Sequence, residues 1–462
     1  MLDIMAKAIE QISDSEVAFA DIRQESRIGT NLLVVNGALR RFNRANRGGT
    51  VARVLIGESW GQASTTYSLT PSLINELLTD ALKMAKANSK HSRKRIDLSD
   101  MTPSEKTVWQ SVKEDPATVS TEEKIQLVMD LDKAQRIDDR VVNTNSMYDD
   151  RKNIIRLVNS QGSSLEWDEL RLRAIVNPVV REGERMHYDY DYVGGTGGYE
   201  MVREGDVIEM AEKTSKGALE LLGAEKPPSG KMNVVIDGEL AGIVAHEVCG
   251  HGAEADEIVK ERSFLTGMVG KRVGTDLVTM IDDGTVPGKM GTIPFDSEGT
   301  PASKTFVIEN GIFKGYMHTL ETAFLMGTAP TGNGRAQDYN RRIFARMTNT
   351  FFGPGDWTDD EIISDTKDGI YVKKGMSGME DVVGGGVQVT ALKGYLIKNG
   401  ELTQLVRSTA LAGKVLDILA TVDAVVKNLG YSGGTCGKGE EDFVPVSTGG
   451  PHMRAEIIVG GG

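Results

Sequence analysis

In the stretch Glu239 to Asp256, ELAGIVAHEVCGHGAEAD, His246 is followed at once by Glu247 and, five positions on, by His251. Two imidazoles and a carboxylate this close, in a chain with six histidines, are a set that can hold a divalent metal and move a proton beside it. The spacing is unusual. Histidines four apart lie ~40° apart around an α-helix and grip one ion, whereas five apart diverge by ~140°. The segment therefore needs either a π-type widening of the helix or a helix that ends near Gly250 and releases His251 from a bent backbone; Gly250 and Gly252 permit both. Glu247, beside a ligand but not required as one, is placed to take a proton from metal-activated water and return it to a leaving amine, which is the chemistry of peptide hydrolysis. The plainer alternative is a buried, hydrogen-bonded histidine pair at a helix end.

Two histidines do not complete a catalytic metal site, which normally has three protein ligands and one open position. Candidates for the third are Cys436, Cys249, Glu254, Asp256, His318 and His452. Cys249 lies ~60° from His246 on a helix, but equally suits a small packing residue. Cys436 is the better choice, because in GGTCGKG (433–439) the glycines let the backbone approach an ion and Lys438 is available to stabilise a thiolate. Glu254 and Asp256 fit either an orienting role behind a ligand histidine or a solvated acidic turn. A second Gly-rich loop, TGNGRAQDY (331–339), offers Asn333, Arg335 and Tyr339 for binding a peptide backbone or stabilising an oxyanion, against an ordinary surface turn. Arg346 and Asn349 carry the same choice between substrate contact and satisfying buried backbone groups.

The elements that must hold these residues belong to a large folded chain: 462 residues, 39% hydrophobic and 26% charged, enough for two or three domains. Asp and Glu outnumber Lys and Arg by 66 to 53, so no broad basic footprint is present and nucleic acid is a poor partner. Two cysteines make no disulfide framework, which favours a reducing compartment. The opening MLDIMAKAIEQISDSE places Leu2, Met5, Ile9 and Ile12 on one helical face and lacks a basic segment before an apolar core, so it reads as the first helix of a cytoplasmic protein. Ala410 to Leu429, the most apolar late stretch, carries too many charges to span a membrane.

Residues 17–24 and 30–36 read as strands, with Asn36-Gly37 as a tight hairpin turn; Thr70-Pro71 opens a helix through Leu73, Leu77, Ala81 and Met84. Ser120 and Glu123 have capping-box spacing ahead of another helix, and strands follow near 139–147, 153–159 and 164–177. LLGAEKPPSGK (221–231) marks a boundary between an N-terminal α/β domain, 1–225, and a C-terminal mainly β domain, 226–462, with a strand at 232–237, the metal-site helix at about 239–250 and hairpins at Asn310-Gly311 and Asn399-Gly400. The class is α+β. FVIENG (306–311) and YLIKNG (395–400) are alike, as an internal duplication or two independent hairpins.

Taken together, ADIRQE (20–25), VVNGALRRF (34–42), ARVLIGESWGQAST (52–65), HEVCGHGAEAD (246–256), FDSEGTPA (295–302), TGNGRA (331–336), RMTNT (346–350) and TCGKG (435–439) resemble the TldD/PmbA family of metalloproteases, also described as modulators of DNA gyrase. The match is to the metal-bearing TldD type. The resemblance implies zinc held by His246, His251 and Cys436, with Glu247 as general base and acid. It also implies an unfolded polypeptide or small peptide as substrate, and a homodimer or a heterodimer with a PmbA-like (TldE-type) relative. Glu440-Glu441 departs from the glutamine expected soon after the Gly-Lys pair. The rival expectation is a non-catalytic regulatory partner whose metal, closed off by both cysteines, is only structural.

Overall fold

Long alternating segments of the first half form paired strands. Strands β1 (Val17–Val35) and β2 (Ala38–Ile56) are joined at Asn36-Gly37, where φ is 51° and 77°, the two positive values that a type I′ turn needs. The computed structural model describes residues 1–12, 16–90, 94–98 and 101–461, so residues 13–15 of the opening segment lie outside the described residues. Strands β3 (Ser59–Thr65), β4 (Glu105–Val108), β5 (Val141–Asn159), β6 (Ser164–Glu182), β7 (Arg185–Tyr188) and β8 (Asp191–Thr196) complete a sheet of order β3-β2-β1-β5-β6-β4, with β7 and β8 also paired to β6.

The expected strands at 17–24 and 30–36 are one continuous strand, and those at 139–147 and 153–159 merge likewise into β5. The polar runs that read as breaks are strand segments with a polar face. Even-numbered residues of β1, such as Ile22 and Leu32, pack in the apolar clusters under the helices. Odd-numbered residues turn to the second half of the chain: Phe19 packs with Leu320, and Arg23 donates to the carbonyls of Ser297 and Asp338.

Helices α1 (Leu2–Glu10), α2 (Pro71–Ser89), α3 (Thr121–Ala134), α4 (Glu200–Arg203) and α5 (Val207–Leu221) supply that apolar cover. The Thr70 hydroxyl accepts from the Leu73 amide at 3.2 Å and Ser120 from Glu123 at 3.1 Å, satisfying two of the amides a helix start leaves unpaired. Met84, expected on the buried face of α2, is half exposed; the buried row is Ile74, Leu77, Leu78, Ala81 and Ala85.

Beyond residue 229 the strands are β9 (Gly230–Ile236), β10 (Met280–Asp283), β11 (Lys304–Glu309), β12 (Ile312–Phe313), β13 (Gly334–Arg335), β14 (Phe344–Ala345), β15 (Asn349–Phe352), β16 (Asp368–Asp381), β17 (Gly386–Lys398), β18 (Glu401–Lys414), β19 (Ala424–Val425), β20 (Gly430–Lys438), β21 (Glu441–Gly450) and β22 (Met453–Gly461). One sheet runs β12-β11-β10-β15-β21-β20. Another runs β18-β17-β16-β9-β22, and because β18 also pairs with β22 it closes on itself. The turns at Asn310-Gly311 and Asn399-Gly400 take the same pair of positive φ values as Asn36-Gly37, yet they belong to different sheets. The class is α+β, with antiparallel pairing dominant and β9–β16, β15–β21 and β4–β6 the parallel exceptions. Among the described residues, no helix is long and apolar enough to cross a membrane.

Helix α6 (Gly238–Val244) threads between these two sheets. The Asp237 carboxylate caps it by accepting from the Leu240 amide at 2.9 Å, and Leu240, Ala241 and Val244 enter the main core. It lies so close to β21 that a Cβ on Gly242 would stand 2.3 Å from the Gly449 nitrogen and 2.7 Å from its Cα. Those are backbone atoms, so the clash can be relieved only by moving the helix or the strand. Gly242→Ala is therefore expected to lower stability by about 1–3 kcal/mol, measured as a lower denaturant midpoint with an unchanged slope.

Candidate metal centre

At Ala245 the helix widens: Ala245–Gly250 is a π-helical turn, the first of the two solutions the histidine spacing allows. Its i→i+5 hydrogen bonding stacks residues five apart, and His246 and His251 meet edge to face with ring centroids 5.1 Å apart. Gly250 lets Met347 pack against the turn, since a Cβ there would lie 2.1 Å from the Met347 sulfur and force that side chain to move. Opposite the turn, β20 delivers Cys436, whose Sγ is 3.4 Å from His251 Nε2. Nitrogen or sulfur atoms of His246, His251 and Cys436 all lie within 4.8 Å of one another, and the three residues are buried.

Cys249 does not join them. It is fully buried in the apolar core, and burial pushes its thiol up to about 12. His318 is held with Thr322, burial bringing it down to about 4, and His452 faces Asp359; neither is part of the cluster. Burial also raises the Cys436 thiol, but the adjoining His246 and His251 outweigh it and bring the thiol down to about 5, while both imidazoles are held above their ordinary value. The sulfur is thus a thiolate at neutral pH, which is the ligand form.

Behind the ligands stands a polar web. Glu254 Oε2 is 3.1 Å from His251 Nδ1, which turns Nε2 toward Cys436, and also 2.9 Å from the Lys438 ammonium. Burial opposes its charge, but Lys438, His251 and Arg346 hold Glu254 down at about 2. Lys438 also reaches Asp256 at 2.6 Å, so its ammonium neutralises the carboxylates rather than lying on the thiolate as expected. Fully buried Arg346 donates to the Cys436 carbonyl at 2.7 Å and reaches Glu441 at 3.4 Å. Glu441 is buried and also accepts from the Gln337 amide, so the unexpected acidic pair divides: Glu440 faces solvent and Glu441 is built in. Asn349 likewise satisfies backbone, donating to Asp283 O at 2.7 Å and accepting from Gly291 N at 3.0 Å.

Glu247 lies on the open side of the π turn, with Glu380 of β16 close enough to form a second grouping with it and His251. Burial raises its carboxyl above the ordinary range, opposed by the two imidazoles and reinforced by a hydrogen bond shared with Glu380. Glu380 arrives from more than a hundred residues downstream and carries no local motif, so the sequence offers no sign of it.

The second Gly-rich loop is built into the interior. Asn333 is buried with its amide engaged by Asp282 (2.8 Å), the Arg346 carbonyl (3.0 Å) and Thr331 (2.6 Å). Arg335 is also buried, donating to the carbonyls of Met347 and Pro445, and the Tyr339 ring lies over Gly49 of β2. Tyr339 reaches the first sheet, while Asn333 and Arg335 bond within the second half.

A buried cysteine thus meets two histidines of a bent helix, inside an α+β fold with a closed sheet. The domain models of one family cover the chain in order: PmbA/TldA metallopeptidase domain 1 matches residues 20–89, the central domain 114–222 and the C-terminal domain 229–461. The chain belongs to the PmbA/TldD metallopeptidase family. It is 37% identical over 443 residues to a metalloprotease of Methanocaldococcus jannaschii, covering 96% of each chain. A zinc metalloprotease TldD homolog of Saccharolobus solfataricus is 30% identical over 258 residues, 56% of this chain and 57% of that protein. The fold is shared with TldE of Thermococcus kodakarensis (TM-score 0.77, 20% identity, 99% of both chains). It is shared also with a Thermotoga maritima protein proposed as a modulator of a DNA gyrase (TM-score 0.81, 21% identity, 99% of both chains).

Removing Lys438 deprives Glu254 and Asp256 of the ammonium they share and leaves Glu254 only His251 and Arg346. Lys438→Met is expected to cost about 3 kcal/mol or more, read as the loss of unfolding free energy in denaturant, with Lys438→Arg recovering part of it.

Proposed function

We propose that this chain is a zinc-dependent metallopeptidase acting on unfolded polypeptides or small peptides, with His246, His251 and Cys436 holding the ion and Glu247 serving as general base and acid. The observation that carries this is the convergence of two imidazoles and a cysteine sulfur within 4.8 Å, with Nδ1 of buried His246 lacking a hydrogen-bond partner among the described residues. A donor set of two nitrogens and one sulfur suits zinc, and three protein ligands leave a position open for substrate or water. Cys249, the residue that could have closed the site, is in the core. When bound, zinc supplies Lewis-acid chemistry, polarising the scissile carbonyl and acidifying water.

Glu247 does the proton work. Held above the ordinary carboxylate range by burial, it is poised to accept a proton from the attacking water and deliver it to the leaving nitrogen, the exchange a group titrating closer to neutrality performs best. Glu254 fixes the His251 ring, and Arg346 fixes the Cys436 backbone, so both act as positioning residues.

A two-domain division at residue 225 is supported by the gap between the strands that end at Thr196 and those that begin at Gly230. A cytoplasmic setting is supported by two free thiols, and a partner, either a second copy or a TldE-type relative, by the fold shared with TldE.

Metal per chain, measured by mass spectrometry on protein without a histidine tag, tests the site. Zinc is expected in wild type, Cys249→Ala and Glu247→Gln, and is expected to be lost in Cys436→Ala. Peptide turnover is expected to fall by about 10²–10⁴ in Glu247→Gln with zinc retained. Turnover near wild type in that variant removes Glu247 from the mechanism, and a well-folded, zinc-exposed wild type without metal overturns the assignment.

A further inference from the structure

Between the odd-numbered face of the first sheet and the loops of the second half lies a cavity of about 50 Å³, walled by Arg23, Arg27, Arg151, Arg171 and Arg335. That volume holds roughly three or four waters, or one tetrahedral oxyanion. Strand register sets the arrangement. Arg27 on β1 stands opposite Asn153 on β5, which stands opposite Glu169 on β6, while Arg151 stands directly opposite Arg171. Like charges facing each other across a sheet are destabilising.

The carboxylates present do not balance this charge. Glu25 pairs with Arg23 at 3.1 Å and Glu169 with Arg171 at 2.5 Å. Asp296, also on the wall, turns both oxygens to the amides of Glu298, Thr300 and Gly334. Among the described residues the hydrogen-bond acceptors of Arg27 and Arg335 are neutral: Asn153 Oδ1 and the Gln337 carbonyl for the first, the Met347 and Pro445 carbonyls for the second. Arg151 has neither an ion pair nor a side-chain hydrogen bond among the described residues. Burial, together with Arg27 and Arg171, brings its guanidinium down to about 9, with Asp149 and Glu169 opposing. Arg335 is buried and Arg27 and Arg151 are half-buried; cations left unpaired in such surroundings are costly, and planar guanidinium forks match the oxygens of an oxyanion.

We propose that this cavity binds a small oxyanion of phosphate size carrying two charges, held by Arg27, Arg151 and Arg335. The site is separate from the metal ligands and does not rest on the peptidase reading. It joins the two halves of the chain, since Arg27 and Arg151 come from the first sheet and Arg335 from β13. Arg335 in turn holds the carbonyl of Met347, whose sulfur packs on Gly250.

The test is calorimetric titration of the full chain with inorganic phosphate at constant ionic strength, with thermal melts in phosphate, sulfate or chloride. Wild type is expected to bind phosphate saturably at one site and to melt higher in phosphate and sulfate than in chloride. Arg151→Met is expected to weaken phosphate binding at least about tenfold while melting no lower than wild type in chloride, because it removes an uncompensated cation. Arg27→Gln gives an independent loss of binding. Absence of a saturable phosphate signal, an equal melting shift from chloride, or wild-type phosphate affinity in both variants overturns the proposal. Arg151→Met melting lower than wild type in chloride assigns Arg151 a structural role and overturns it too.

Discussion

The candidate site depends on one departure from ideal helix geometry. Residues five apart on an α-helix point away from each other, and the π turn at Ala245–Gly250 is what brings His246 and His251 to one face. A wider turn packs less well along its own axis, so it needs outside support. The chain supplies it with Met347 lying against Gly250, β21 pressed on α6, and Glu254 locking the second ring. The metal half can be understood as a frame built to hold a turn that would relax into regular helix if left alone.

Charge is arranged in two opposite ways in this molecule. Around Cys436 each buried ion has a counterion: Glu254 meets Lys438 and His251, Asp256 meets Lys438, and Glu441 meets Arg346. At the seam with the first sheet the balance is left positive. The two regions are linked through β21, where Val444 faces Cys436 across the ladder and Pro445 accepts from Arg335.

Local chemistry was legible in the sequence, and so was much of the architecture. Three Asn-Gly pairs are turns with two positive φ angles, Thr70 and Ser120 cap helices, and the histidine spacing alone demanded a π turn or a broken helix. What could not be read was whatever depends on a distant partner. Residues 25–29 read as a break because Glu25 and Arg27 have no visible reason to be in a strand; the reason is a distant wall, where Arg27 reaches the Gln337 carbonyl and Arg23 those of Ser297 and Asp338. Lys438 was rightly placed near the cysteine but given the wrong partner, since Glu254 and Asp256 reach it only through the tertiary fold. Asn333 looked like a substrate contact because a Gly-rich loop reads as surface, whereas here it is interior.

The closed sheet has a consequence for how the molecule comes into being. Its first strand, β9, pairs with β16 and with β22, the last strand of the chain: Val234 with Ile370, and Ile236 with Met453. During synthesis from the N-terminus, β9 and the π turn emerge early and wait for both partners, and Cys436 arrives only shortly before the closing strand. Contacts of such sequence separation are slow to form, because a long loop must be ordered before any pairing rewards it. The first sheet, complete by Thr196, can assemble while the rest is still being made, and the histidine pair meets its cysteine only after Cys436, 185 residues beyond His251, has emerged.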